Sequence, residues 1–182
     1  MIKKYAISRV LDILINISKE FSLRDIAKKA KVGVATSKLC LDYLREKNIV
    51  KRKIIGKSHL YSLNLDNFVT RYIKIVYLLN LIKNSGLVDE LVENYKTITS
   101  IILYGSSARG EYTENSDIDI LIISRKPIKL KPLKAEKNIN KETIFIAYTL
   151  PEWRKKSETD KPFYDRVIVD GIALHGEKPT VK

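Results

Sequence analysis

The chain has 182 residues, 34 Lys and Arg against 21 Asp and Glu, and a formal net charge of +13. Hydrophobic residues make up 45%, enough for a folded core in one domain or two small ones, and this excludes a disordered chain. One cysteine, Cys40, and two distant histidines, His59 and His175, exclude an internal disulfide, a cysteine-cluster zinc site and an evident histidine metal centre. The charge predicts a polyanionic partner, nucleic acid ahead of an anionic membrane. Residues 1–17 open with the basic pair Lys3 and Lys4 and are rich in apolar residues, but Arg9, Asp12 and Asn16 interrupt them at helical spacing, so an amphipathic helix is predicted rather than a signal peptide. The eleven residues from Tyr72 to Ile82 are too few to span a bilayer. The expected location is cytoplasmic, with no membrane partner.

In chain order, residues 5–17 read as a first helix with Ile7, Val10, Leu11, Leu14 and Ile15 on one face. Ser22 is the expected N-cap of a second helix, 23–30, with Asp25 in its first turn. A third helix is expected over 35–47, facing inward with Val34, Ser37, Cys40 or Leu41, and Leu44. Asn48 follows, where a left-handed residue is expected. Residues 49–55 and 59–63 read as strands around a Gly56-Lys57-Ser58 turn. Two helical patterns follow, 66–83 and 87–95, broken at Ser85-Gly86. Strands are predicted at 97–104, 117–123, 143–149 and 172–175. A polar loop spans 105–116, and a basic loop spans 125–141 with seven cations and one acid. Two short helices begin near Pro151 and Pro162.

The first 66 residues, three helices and a hairpin, resemble the winged helix-turn-helix family. The residues carrying the resemblance are 23–27 on the second helix, Gly33 in the turn, Leu41 and Leu44 on the third, and Asn48-Ile49-Val50. The resemblance implies a third helix in the major groove of double-stranded DNA and wing cations near phosphates. Thr36, Lys38, Arg45 and Lys57 are the candidate DNA contacts, with Asp42 cutting against a purely phosphate-facing surface. Packing against another protein is the alternative for this module. Residues 1–68 carry 15 basic and 6 acidic side chains, a local charge of +9.

The most informative stretch is 101–123. An apolar strand ends at Tyr104, and Gly105-Ser106 turns into a short helix, exposing backbone N–H groups suited to a triphosphate. Ten residues later come Asp117 and Asp119, whose i, i+2 spacing puts both carboxylates on one face of a strand. Adjacent carboxylates raise each other's pKa unless a cation lies between them, and Mg2+, as one or two ions, is the natural occupant.

This Gly-Ser, ten-residue, Asp-x-Asp arrangement is similar to the minimal nucleotidyltransferases of the DNA polymerase β-like superfamily. The resemblance covers about 97–176. It implies that Gly105, Ser106 and Ser107 bind the nucleotide and that Asp117 and Asp119 are catalytic metal ligands. Arg109 either reaches phosphate or pairs with an acid in the loop. The family places a third carboxylate on a following strand. Here that strand holds no internal acid, and Glu142 at its edge is the local candidate. Trp153, Phe163 and Tyr164 are expected in the core, with base stacking as the alternative, and His175 at the surface.

The resulting expectation is an α+β protein of two domains: a winged helix-turn-helix over 1–66, a helical linker over 67–95, and a nucleotidyltransferase domain over 96–182 with a small mixed sheet flanked by helices. The expected activity transfers a nucleotidyl group, AMP from ATP by family analogy, to a hydroxyl of a protein or small molecule. A partner protein is one candidate acceptor. The alternative is a DNA-binding regulator whose degenerate transferase domain only binds nucleotide. A homodimer through the 66–95 helices is expected by analogy at the level of the fold.

Overall fold

The computed structural model describes residues 5–16, 19–56, 58–139 and 141–181. Lys57, the expected wing contact, lies outside them. The fold is mixed α+β and divides into two compact units, Met1–Lys74 and Ile75–Lys182.

The first unit opens with α1 (Ala6–Asn16), which buries Val10, Leu14 and Ile15. A short strand, β1 (Phe21–Ser22), leads into α2 (Leu23–Ala30). Ser22 caps α2 from an extended conformation, its hydroxyl accepting from the Asp25 N–H at 3.2 Å. α2 closes on Lys31 in the left-handed region. α3 (Val34–Glu46) turns Ser37, Leu41 and Leu44 inward. Val34, expected on that face, is 50% exposed, because the inner stripe falls on 37, 41 and 44 and leaves the first helical residue to one side. Asn48 is left-handed at φ 58, as its position after the helix predicts.

β2 (Val50–Ile55) and β3 (Ser58–Leu63) form an antiparallel pair, and β1 joins the other edge of β3 through Phe21↔Tyr61. Val10, Leu14, Ile26, Leu41, Leu44, Val50 and Tyr61 make one core. Cys40 packs half-buried against it, and burial pushes its thiol pKa up, consistent with a small core residue rather than a reactive thiol.

α4 (Phe68–Ser85) runs from the first unit into the second, and α5 (Leu87–Asn94) buries Leu87 and Leu91. The second unit holds a four-stranded mixed sheet in the order β6-β5-β4-β7. β4 (Ile98–Tyr104) pairs antiparallel with β5 (Ile118–Ser124) and with β7 (Ile172–His175). β6 (Thr143–Thr149) pairs parallel with β5. The two central strands read as unbroken apolar runs because both faces are covered, with Ile101–Leu103 and Ile120–Ile123 fully buried.

Between β4 and β5 lies one helical turn, α6 (Gly105–Ala108). Between β5 and β6 the basic loop makes a crossover with a 3-10 turn at Ala135–Asn138. α7 (Leu150–Thr159) starts in a capping box between Thr149 and Glu152, and Asp160 caps α8 (Lys161–Asp170). Trp153 and Val167 from these helices pack on Ile102, Leu121 and Ile123, with Tyr104, Phe163 and Tyr164 around them. Trp153 is fully buried, so the aromatic trio belongs to the core and not to a base-stacking surface.

Candidate active site

The pleat decides which groups meet. Asp119, Leu121 and Ile123 alternate onto one face of β5, and the latter two lie under α7 and α8, so Asp119 opens onto the same side as these helices. Asp117 was expected to begin the strand, but the strand begins at Ile118. Its i, i+2 relation to Asp119 is unchanged by that.

Across the ladder, Tyr104 is the register partner of Asp119. The next residue, Gly105, has φ +71 and opens α6. A Cβ built on Gly105 would stand 2.3 Å from Asp119 Oδ2. The carboxylate therefore occupies the space a side chain would take, and only glycine admits both the backbone angle and the contact. Burial, and after it the neighbouring Asp117 charge, push the Asp119 carboxyl pKa up. Burial also raises the Tyr104 phenol to about 12, with help from the charges of Asp119 and Tyr148.

Ser106 is half-buried, and its carbonyl accepts from Glu111 N–H at 2.9 Å. Ser107, expected among the nucleotide-binding groups, is buried, and its hydroxyl donates to the Asp117 carbonyl at 3.2 Å. Its side chain therefore ties α6 to the strand entrance instead of facing a ligand. Arg109 pairs with Glu111 at 2.8 Å and with Asp170 at 3.6 Å, which is the ion-pair arrangement left open by the sequence.

Glu142 stands one residue before β6. The parallel register of Ile118 with Thr143 sets Glu142 beside Asp117, and its carbonyl accepts from Ile118 N–H at 2.9 Å. Its side chain is exposed, and among the described residues no group of three His, Cys, Asp or Glu side chains gathers to hold a metal ion. Next to Asp119 on β6 the register puts Ile144, an apolar residue. The structure thus brings together Gly105, Asp117 and Asp119, with Glu142 beside Asp117 in register but exposed.

Sequence reasoning missed Lys141, placed only as the last cation of the basic loop 125–141. Its ammonium donates to the carbonyls of Thr113, Glu114 and Ser116, immediately before Asp117. Burial pulls its pKa down, while the Asp117 and Glu114 charges act in the opposite sense. Nothing in the local sequence signals this, because its partners lie 25 to 28 residues away.

In the first unit, Thr36, Lys38 and Arg45 are all exposed on α3. Lys38 and Arg45, seven residues apart, share one flank, and Thr36 lies on the other. The middle of the outward face carries Leu39, 72% exposed, with Asp42 and Glu46. Arg45 lies 3.5 Å from Asp42. On the hairpin, Lys51 pairs with Asp66 at 2.5 Å and Lys53 with Glu20 at 3.8 Å. Among the described residues, no helix is long and apolar enough to cross a membrane.

The Gly-Ser turn abuts Asp119 on β5, with Asp117 just before that strand, and the family model for the nucleotidyltransferase domain matches residues 85–169, which include this turn and both carboxylates. A proposed protein adenylyltransferase of Methanocaldococcus jannaschii is 46% identical over 83 residues, 46% of this chain and 81% of that protein. The chain belongs to the nucleotidyltransferase domain family. A second proposed protein adenylyltransferase of the same organism is 60% identical over 37 residues, 20% of this chain and 37% of the relative's length. Among solved structures, a nucleotidyltransferase of Sulfolobus solfataricus is 22% identical, covering 61% of this chain and 91% of its own, at a TM-score of 0.36. Lactococcus lactis ZitR is 20% identical, covering 48% of this chain and 61% of its own, at a TM-score of 0.38.

Proposed function

We propose that the second unit transfers AMP from ATP to a hydroxyl group, a protein side chain being the preferred acceptor. The observation that carries this reading is the contact of the Asp119 carboxylate with Gly105, beside Asp117. Proposed adenylyltransferases among its relatives support the choice of AMP and of a protein acceptor.

The donor set is all oxygen, and the two neighbouring carboxylates disfavour being charged together, so a divalent cation such as Mg2+ fits Asp117 and Asp119. When bound, the ion supplies charge stabilisation at the phosphoryl oxygens. Gly105 and Ser106 hold the phosphates at the head of α6, where the bare Cα permits close approach. Ser107 and Arg109 brace the loop around them. The acceptor oxygen attacks the α-phosphorus, the bond to the β-phosphate breaks, pyrophosphate leaves, and the hydroxyl proton passes to solvent. Glu142, beside Asp117 by register, is the group we assign as a weak third carboxylate.

We further propose that the first unit is a winged helix-turn-helix that binds double-stranded DNA. Its helix order, its hairpin and the charge of +9 over residues 1–68 support this. Because Asp42 and Glu46 occupy the centre of the outward face of α3, Lys38 and Arg45 on one flank are the groups that reach phosphate. A second reading, a DNA-binding regulator that senses nucleotide without turning it over, is favoured by the apolar Ile144 beside Asp119 and by the exposure of Glu142.

Incubation of the full chain with ATP labelled at the α-phosphate, Mg2+ and candidate acceptors separates these readings. Transfer that disappears in Asp117→Ala and Asp119→Ala supports the enzyme. ATP binding without transfer to any acceptor supports the sensor.

A further inference from the structure

The segment joining α6 to β5 has no regular structure, yet it must deliver Asp117 to a defined place. Within it, Thr113 N–H donates to Ser116 Oγ at 2.8 Å and Ser116 N–H to the Thr113 carbonyl at 3.3 Å, while at its ends Glu111 N–H donates to the Ser106 carbonyl and the Ser107 hydroxyl to the Asp117 carbonyl. A further hold comes from the approach to β6, two residues before that strand begins. Lys141 Nζ donates to the carbonyls of Thr113 at 2.5 Å, Glu114 at 3.1 Å and Ser116 at 3.3 Å. An ammonium has three N–H donors, so this set uses them all. The same nitrogen stands 5.5 Å from the ring centroid of Tyr112, a buried residue of the same segment. Lys141 is itself tethered, because the adjacent Glu142 carbonyl accepts from Ile118 N–H between the two carboxylates.

Resting on the nucleotidyl-transfer reading above, we propose that Lys141 is a positioning residue: it clamps 113–116 so that Asp117 is held beside Asp119 for a metal ion. Two things follow from its chemistry. The positive charge next to Asp117 offsets repulsion within the carboxylate pair before any cation arrives. The three carbonyls converge on a point, which suits a compact ammonium and not a planar guanidinium, so arginine is a poor replacement.

The test uses the full chain as wild type, Lys141→Met and Lys141→Arg. Methionine retains an unbranched chain against Tyr112 and removes the donors. Two quantities are read: amide hydrogen exchange along 98–175, and Mn2+ affinity by calorimetry in the presence of a non-hydrolysable ATP analogue. For Lys141→Met we expect faster exchange confined to 112–117 and Mn2+ affinity lowered by about tenfold or more, the usual scale for losing a group that orients a metal ligand. Lys141→Arg restores neither in full.

Wild-type exchange and Mn2+ affinity in Lys141→Met overturn the inference. So does faster exchange spread over β4, β5 and β6, which marks a merely structural role. If the wild type binds no Mn2+, the nucleotidyl-transfer reading falls and this inference with it. Wild-type binding with an unaffected Lys141→Met overturns the inference alone.

Discussion

Replacing Gly105 by alanine tests whether the turn and the carboxylate form one unit. The new Cβ would lie 2.3 Å from Asp119 Oδ2 and 3.3 Å from its Cγ, at a backbone φ of +71. The left-handed angle costs an L-residue roughly 1–2 kcal/mol. Pushing the carboxylate off its rotamer adds about 0.5–1.5 kcal/mol. Together these amount to roughly 2–3 kcal/mol, a fall in melting temperature on the order of 10 °C for a unit of this size. Displacing a metal-binding oxygen by about 1 Å is expected to cut label transfer by about 100-fold. Melts and transfer assays on Gly105→Ala, Asp119→Ala and the double variant separate the two contributions. Asp119→Ala removes the clash and leaves the strain, because the Asp119 Cβ is 3.5 Å away, an ordinary contact. The double variant is therefore more stable than the two single losses added together, by about 1 kcal/mol. Coupling below about 0.3 kcal/mol, with normal transfer by Gly105→Ala, would refute the reasoning.

Other consequences are open to direct measurement. Asp119 has its carboxyl pKa raised on folding, so the folded state holds its proton longer, and this group's contribution to stability falls as pH rises from the unfolded value through the folded one. Asp119→Asn should thus melt higher than wild type at neutral pH in chelator, and it should lose both the stabilisation by Mg2+ and label transfer. Thr149→Ala removes the α7 cap and should cost about 1 kcal/mol in a urea melt. Thr149 holds the Glu152 carboxyl below its usual value of 4.5, so Glu152 contributes stability above that value that is lost as pH falls through its folded pKa. The deficit of Thr149→Ala should shrink in acid accordingly. Lys38→Ala should reduce the slope of log affinity against log salt for duplex DNA by about 0.9, measured by anisotropy, and an unchanged slope removes Lys38 from the phosphate contacts.

Local chemistry was readable where a residue's role depends on its neighbours in the chain. Ser22 as a cap, Asn48 in the left-handed region and the Gly105–Asp119 spacing all belong to this kind. The strands of the second unit were legible as apolar runs, but their order was not. Placing β6 parallel to β5 and β7 at the opposite edge depends on pairing between segments far apart in sequence. Lys141 escaped for the same reason, since its carbonyl partners are distant and leave no pattern. Val34 misled because an apolar residue at a helix start has no helical turn before it to show which side faces in. Ser107 looked like a ligand group from its place in the motif, whereas its burial is set by packing of α6 on the sheet.

Trp153 is the chain's only tryptophan, and it sits in the second unit, with its Nε1–H on the Pro179 carbonyl at 2.7 Å. Its ring is 5.9 Å from Phe163, which is 5.6 Å from Tyr104, the strand partner of Asp119. Indole emission therefore works as a native optical probe of one unit, while peptide circular dichroism sums over both. Comparing the two signals during unfolding separates the transitions without any introduced dye. A ligand that disturbs Tyr104 has only two ring contacts to cross before it alters that emission.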